Sequence, residues 1–556
     1  MTDHRVPAAP ALFDPDEDAA AGEPPAARTP RIVWTITVLH VAVLLAYSLL
    51  APTYRAPDEP LHVDLAHVVA DDLRYPAWDD RDTGAGILES LHLVEFHNGS
   101  RHLEAADAPD RDDRPSIDEL DERDRPRSIN QLPQHPPLYY VVAGGLERLA
   151  EVVTGDPLGS FDVETWFYRL VSIAMVSPLP VIIWRTARRL RLPESVGVAA
   201  MLFPLAVPNY LHIGSVVNND NLMVLLFWLL TPLVIRLAQG EVGLRTAAMA
   251  GLVTGLALYT KGFALIMPLW VLAALAVVLR RQGRGQLRRI VHAGLAYTTV
   301  MVAAGGWWWV ANMVRYGEPL PTRYDDLVSP VDSDVRDIGM FLETWSTITT
   351  RRFWGDFGSF DVHIPGYAVT IATLVVVVGI VVATTRRDRI AGTALGDRLL
   401  LAAPFLLLVV VQFANALRAY ISLGRMPGLQ GRYWFGAMAA LAVIVALGLA
   451  NLMRSASRAL PLAVFAGAVG MNTLGVGAML GTYWGASGSA FGERFRALVA
   501  WAPLEGEVIA VGAALGALVL LVVAVQLVAM AVRPDGADRD PPGRRSAGAV
   551  APASAP

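Results

Sequence analysis

The stretch RIVWTITVLHVAVLLAYSLLAPTYRAPDEPLHVDLAH, Arg31 to His67, decides the class of fold. It opens with an apolar run of about twenty residues, enough to cross a hydrocarbon layer of roughly 30 Å at about 1.5 Å per helical residue. It then turns polar in PDEPLHVDLAH, Pro57 to His67, where Asp58 and Glu59 sit just past the apolar run. Carboxylates at that depth stay hydrated beside a lipid head group, where an enzyme acting on a lipid-carried substrate needs its base.

Similar apolar runs recur along the chain. Spans are expected at 33–51, 164–184, 194–211, 219–237, 246–259, 263–279, 290–311, 366–383, 399–414, 434–450, 460–481 and 508–532. The runs lack the alternation a barrel requires, so the expected fold is an all-α integral membrane bundle of about twelve helices with a large first extracytoplasmic loop. Of the 556 residues, 54% are hydrophobic and only 17% charged, which agrees with that class. Cysteine is absent, which excludes disulfides, thiolate nucleophiles and Cys-ligated zinc or iron–sulfur centres.

Orientation follows from arginine. The short basic connections 185–192, 280–289, 384–389 and 453–458 are expected on the cytoplasmic side. Both termini then lie inside, as a disordered leader over 1–32 and a disordered tail over 533–556, flanking a multi-pass domain over 33–532. The connections 52–163, 312–365, 415–433 and 482–507 fall outside, in the expected setting of a plasma-membrane protein with an extracytoplasmic site. The segment 136–153 is apolar but carries Glu147, Arg148 and Glu151, and is expected as a helix in the outer interface, with a short span as the alternative. The mixed-charge stretch 106–127 is expected as a mobile, solvated loop.

Candidate chemistry gathers in the outer connections. Asp58 and Glu59 are adjacent, so they cannot share one helix face; one carboxylate is expected as a general base, while a helix cap explains the pair equally well. His62, Asp64 and His67 extend the cluster to DExxHxDxxH, whose donors suggest a divalent metal, although the spacing is not that of HExxH zinc proteases. Asn218, Asn219 and Asp220 precede a span, where capping explains the asparagines and the aspartate is a candidate to orient a sugar or a cation. Lys261 is the one lysine of the chain. At a helix centre it would cost about 2.5 to 3.5 kcal/mol, so it is expected near a head group, with phosphate as its natural partner and interfacial snorkelling as the alternative. Arginines at outer positions, among them Arg315, Arg323, Arg351, Arg352, Arg418 and Arg425, run against the charge bias. Arg432, beside Tyr433 and Trp434, is expected to fork onto a phosphate. Trp354, in RRFWGDFGSFD, suits sugar stacking or the interfacial aromatic belt.

With these motifs in order, PDEPLHVDLAH, HPPLYYVVAG (His135 to Gly144), NND, TKG, WWWVANMVRYGEP, RFWGDFG and QGRYW, the chain resembles the GT-C superfamily of polyprenyl-phosphate-sugar glycosyltransferases. It is closest in kind to the protein O-mannosyltransferase and aminoarabinose transferase group (glycosyltransferase family 39-like), and is identified as a member of the domain of unknown function 2142 family. The resemblance implies Asp58 as base, Glu59 beside it, and a substrate-binding set of His62, His135, Asp220, Lys261, Arg432, Tyr433 and Trp354. It also implies displacement with inversion, from a polyprenyl-phosphate sugar to a glycan, protein or lipid acceptor, with no nucleic-acid partner. No cofactor is required by this reading, and a divalent metal is a further option. The soluble C-terminal domain of some relatives has no counterpart in the sequence. A transporter or flippase of lipid-linked sugars is the competing class, although no internal repeat supports it. A membrane metalloenzyme built on His62 and His67 is the third.

Overall fold

The computed structural model of the chain describes residues 29–78, 82–94, 110–120, 128–321, 336–485 and 488–532. Leader residues 1–28, the tail 533–556, Arg323 and part of the mixed-charge stretch lie outside the described residues. Among the described residues the protein is an all-α, multi-pass membrane protein. Ten helices are long and apolar enough to cross a membrane, and the bent pair Glu194–Ala206 and Pro208–Gly214 makes an eleventh if counted as one. The helix Leu244–Leu258 is apolar but shorter, at 15 residues. These twelve coincide one for one with the expected runs. The 73° bend falls where Pro204 and Pro208 lack the N–H groups that an unbroken helix needs.

The segment expected in the interface is the 17-residue helix Leu138–Thr154. One face buries Tyr139, Tyr140, Ala143, Gly144 and Glu147, while Val141, Leu149, Val152 and Val153 are exposed. This helix is not among those long and apolar enough to cross a membrane. A Cβ at Gly144 would collide with the backbone of Ala66 and Ala70, so glycine permits close contact with the helix Glu59–Asp72.

The connecting segments at the end of the bundle that carries 52–160 are tied to one another. Trp484 donates its indole N–H to Leu50 O at 2.8 Å, at the end of the first span. Arg114 bonds Asp162 at 2.5 Å and Trp501 O at 2.9 Å. Arg352 reaches Leu429 O at 2.9 Å, and a Cβ at Gly431 would strike Phe353 N and Thr349 O, which is how RRFWGD and QGRYW come together.

Candidate active site

Pro57 and Pro60 stiffen the turn after the first span, and the helix Glu59–Asp72 starts there with proline in its first turn. Asp58 takes the N-cap position in the left-handed region, φ 61° and ψ 8°, yet makes no capping bond with its side chain. Both acids nonetheless stand at the helix start, Asp58 at the N-cap and Glu59 in the first turn, where the dipole favours them. A non-glycine residue in the left-handed region costs on the order of 1 to 2 kcal/mol, so the side chain is held aside from the helix at some expense.

Its Oδ2 accepts a hydrogen bond from Arg432 Nη2 at 3.0 Å, and its side chain keeps 36% exposure against 5% for the arginine. Arg432 Nε lies 3.5 Å from Asp220 Oδ2. Asp220 in turn faces Lys261 Nζ at 2.6 Å through Oδ1, and Lys261 also donates to Asn219 Oδ1 at 2.9 Å. Two cations and two carboxylates thus form a chain in which only Asp58 is open to solvent. Arg432 Nη1 is buried without a partner among the described residues, and the Lys261 ammonium has spent two of its three N–H donors. The Tyr433 ring lies 5.8 Å from Lys261 Nζ and 5.9 Å from the Arg432 guanidinium carbon.

Two histidines border this chain of charges. His62 Nδ1 meets Tyr140 OH at 2.9 Å, and the two rings stack with centroids 5.9 Å apart. Burial, then the nearby Lys261 and Arg432, holds the His62 imidazole well below its ordinary range. Burial and Lys261 likewise push His135 down to about 3, so both rings are neutral at physiological pH. Neither competes as a cation with an incoming anion.

The structure thus brings Asp58, His62, His135, Asp220, Lys261, Arg432 and Tyr433 together. It does not bring Glu59 or Trp354. Glu59 is fully buried and takes Arg169 on both oxygens, Nε to Oε1 at 2.8 Å and Nη2 to Oε2 at 2.6 Å. It also accepts the backbone N–H groups of Tyr54 at 3.0 Å and Val217 at 3.1 Å. Trp354 is packed edge-on against Phe203 and Phe353 and donates to Thr373 Oγ1 at 2.9 Å, in the bundle core. Capping accounts for the asparagines only in part: Asn218 Oδ1 accepts Asp220 N–H at 2.8 Å, but Asn219, at the N-cap itself, makes no side-chain capping bond and turns to Lys261 instead. Sequence reading passed over Arg169 and Tyr140. A lone arginine within the apolar WFYRLVSIAMV was the available signal, because ionisable residues inside spans have partners.

The DExxHxDxxH set is not assembled around one point. Asp58 goes to Arg432 and His62 to Tyr140, while Asp64 accepts from Gly84 N at 2.9 Å and Asn130 Nδ2 at 2.7 Å. His67 turns to Glu164 at 3.0 Å and to Asp71 and Asp118 at 3.3 Å. Around His67, two ligand sets, one with Asp71 and Asp118 and one with Glu147 and Glu164, each gather donor atoms within 4.8 Å. The imidazolium itself supplies a cation there. Burial works against its charge, but the Glu164 hydrogen bond and the carboxylates of Glu164, Asp71 and Glu147 push His67 up to about 10. Burial raises the Glu147 carboxyl as well, and that group accepts a hydrogen bond from the Tyr168 hydroxyl.

A stability prediction follows from the His67 shift. A folded pKa of about 10 lies above the ordinary 6.5, so the stabilisation is complete below about pH 6.5 and is lost as pH rises through about 10. His67→Gln is expected to melt below the parent near neutral pH, with the gap closing toward about pH 10. Thermal melts in nanodiscs across that range check it; a gap independent of pH would contradict it.

Comparison with known proteins places these features in context. No curated protein matches the chain in sequence. Among solved structures, ArnT from Cupriavidus metallidurans bound to undecaprenyl phosphate is similar with a TM-score of 0.43 at 13% identity, over 90% of this chain and 78% of that one. The Archaeoglobus fulgidus oligosaccharyltransferase in complex with Zn and sulfate has a TM-score of 0.42 at 12% identity, over 82% of this chain and 54% of that one. The archaeal oligosaccharyltransferase AglB from the same organism, in complex with an inhibitory peptide and a dolichol-phosphate, has a TM-score of 0.38 at 12% identity, over 89% and 56%. In sequence, the family described as "Predicted membrane protein (DUF2142)" matches residues 41–445, which carry every member of the charge chain, and the protein belongs to that family.

Proposed function

We propose that the protein is a glycosyltransferase that moves a sugar from a polyprenyl-phosphate donor to an extracytoplasmic acceptor, with Asp58 as general base. The observation that carries this reading is the half-open Asp58 carboxylate beside two buried cations that still have N–H donors to give. Burial makes such donors strong toward a phosphate, and their positions are fixed before the ligand arrives. The donor phosphate binds at Arg432 Nη1 and the third Lys261 N–H. Its negative charge then competes with Asp58 for the guanidinium, freeing Oδ2 for an acceptor hydroxyl. That hydroxyl oxygen attacks the anomeric carbon and its proton passes to Asp58. The bond from that carbon to the phosphate oxygen breaks on the opposite face, and the electron pair stays on the phosphate. The product is the inverted glycoside, and no metal is invoked in these steps.

Donor binding tests the reading without knowledge of the sugar. Lys261→Ala is expected to weaken undecaprenyl-phosphate binding by roughly ten- to a hundredfold, because a hydrogen bond to a charged group is worth about 1.5 to 3 kcal/mol. Titration of nanodisc-embedded protein with undecaprenyl phosphate measures it. Equal affinity in parent and variant removes Lys261 from the phosphate site.

A further inference from the structure

A cavity of about 330 Å³ is lined in part by Tyr259, two residues before Lys261 of the charge chain. Tyr75, Trp78, Trp308 and Tyr316 line it, together with Gln134 and Asn312. It is joined to the site through specific contacts. Tyr75 stacks on Tyr140 with centroids 5.7 Å apart, and Tyr140 holds His62. The Tyr75 hydroxyl donates to His135 O at 2.8 Å, and Gln134 and Pro137 of the cavity wall flank His135 in the chain. On the opposite wall, Tyr259 belongs to the turn that carries Lys261, and its carbonyl accepts Leu138 N–H at 3.1 Å.

The wall's chemistry is unusual for a pocket that takes a hydrocarbon. Its rings meet edge to face, Trp78 with Tyr316 at 5.9 Å and Tyr75 with Trp308 at 6.5 Å, so aromatic faces share the apolar surface with prolines and Val141. The indole N–H groups of Trp78 and Trp308 and the His135 Nδ1 are buried without a partner among the described residues. Gln134, Asn312 and Arg315 add hydrogen-bond donors to the same wall, which an oxygen-rich ligand would use. Flat rings that accept C–H groups, combined with such donors, fit a hydroxylated sugar ring, and the volume falls at the small end of ligand sites, about 300 to 1,000 Å³.

We propose that this cavity is a saccharide subsite, holding a sugar ring between Trp78 and Trp308 beside the charge chain. The proposal deepens the transferase reading and rests on it for the role of the bound sugar. Two sources share this chemistry, the sugar of the donor and the sugar of the acceptor.

Saturation-transfer NMR on the full chain in nanodiscs, with a panel of neutral methyl hexosides and methyl pentosides as probes, tests it. Ring-proton saturation is expected for at least one glycoside, falling at least about fivefold, equivalent to about 1 kcal/mol, in both Trp78→Ala and Trp308→Ala. Trp308→Phe, which keeps a π face, is expected to retain most of the signal. Undecaprenyl-phosphate titration of the same samples should be unchanged, which separates this subsite from the phosphate site and confirms folding. Displacement of the glycoside by undecaprenyl-phosphate mannose assigns the ring to the donor, and co-binding assigns it to the acceptor. No saturation with any probe, or signals that persist in both alanine variants, overturns the subsite. Loss of undecaprenyl-phosphate binding by the parent protein would instead count against the transferase reading.

Discussion

Asp58→Asn is expected to leave the protein folded in the membrane and to lower sugar transfer from a polyprenyl-phosphate donor by about 10² to 10⁴-fold, the usual worth of a general base. Folding is expected to survive because the side chain makes no helix-capping bond and accepts a hydrogen bond from Arg432 alone among the described residues. Asparagine tolerates the left-handed backbone that Asp58 adopts, and Arg432 retains Asp220 as a counter-charge. Asp58→Gly sharpens the result. Glycine relieves the positive φ, so this variant should melt at or slightly above the parent temperature while being as inactive as Asp58→Asn. A residue that loses activity while the protein gains stability is serving chemistry rather than the fold. Retained transfer in well-folded Asp58→Asn would falsify the base assignment.

How far this site was legible in the sequence depended on what kind of signal each residue gave. The spans were read from hydrophobic runs, a property of the residues themselves, and all twelve coincide with helices. Lys261 stood out because it is the one lysine of the chain, and Arg432 because it lies at a span entrance among aromatics. What no local pattern carried was which partner each charge would find. Asp58 and Glu59 are neighbours, but a left-handed residue followed by a helix start sends their side chains to Arg432, 374 positions away, and to Arg169, 110 positions away. The same holds for DExxHxDxxH, where regular helical spacing disperses the donors around the helix instead of aiming them at one ion. Trp354 could not be told from a substrate platform, because packing against Phe203 across the bundle is a tertiary fact.

The other large effect concerns Glu59, and it runs through stability. Arg169→Ala is expected to cost about 3 to 5 kcal/mol, because it strands a carboxylate with no exposed surface opposite a missing cation. Buried ion pairs are often replaced by apolar pairs without loss, and here that outcome is not expected. Arg169 also donates to the carbonyls of Ser48 at 2.6 Å, Ala51 at 2.7 Å and Pro52 at 3.0 Å, closing the end of the first span. Glu59 accepts two backbone N–H groups in return. The double variant Glu59→Leu/Arg169→Leu removes the partners of five backbone groups and should remain destabilised by several times about 1 kcal/mol, even with no charge left to desolvate. Activity alone does not separate the two acids, because loosening Glu59 also displaces Asp58. The melting temperature does: Glu59→Gln, which keeps the shape but weakens the Arg169 pair, should lower it clearly, while Asp58→Asn should not. If Glu59→Gln instead melts with the parent and loses only turnover, Glu59 acts on the substrate side and its pairing with Arg169 is a resting arrangement that opens during the reaction.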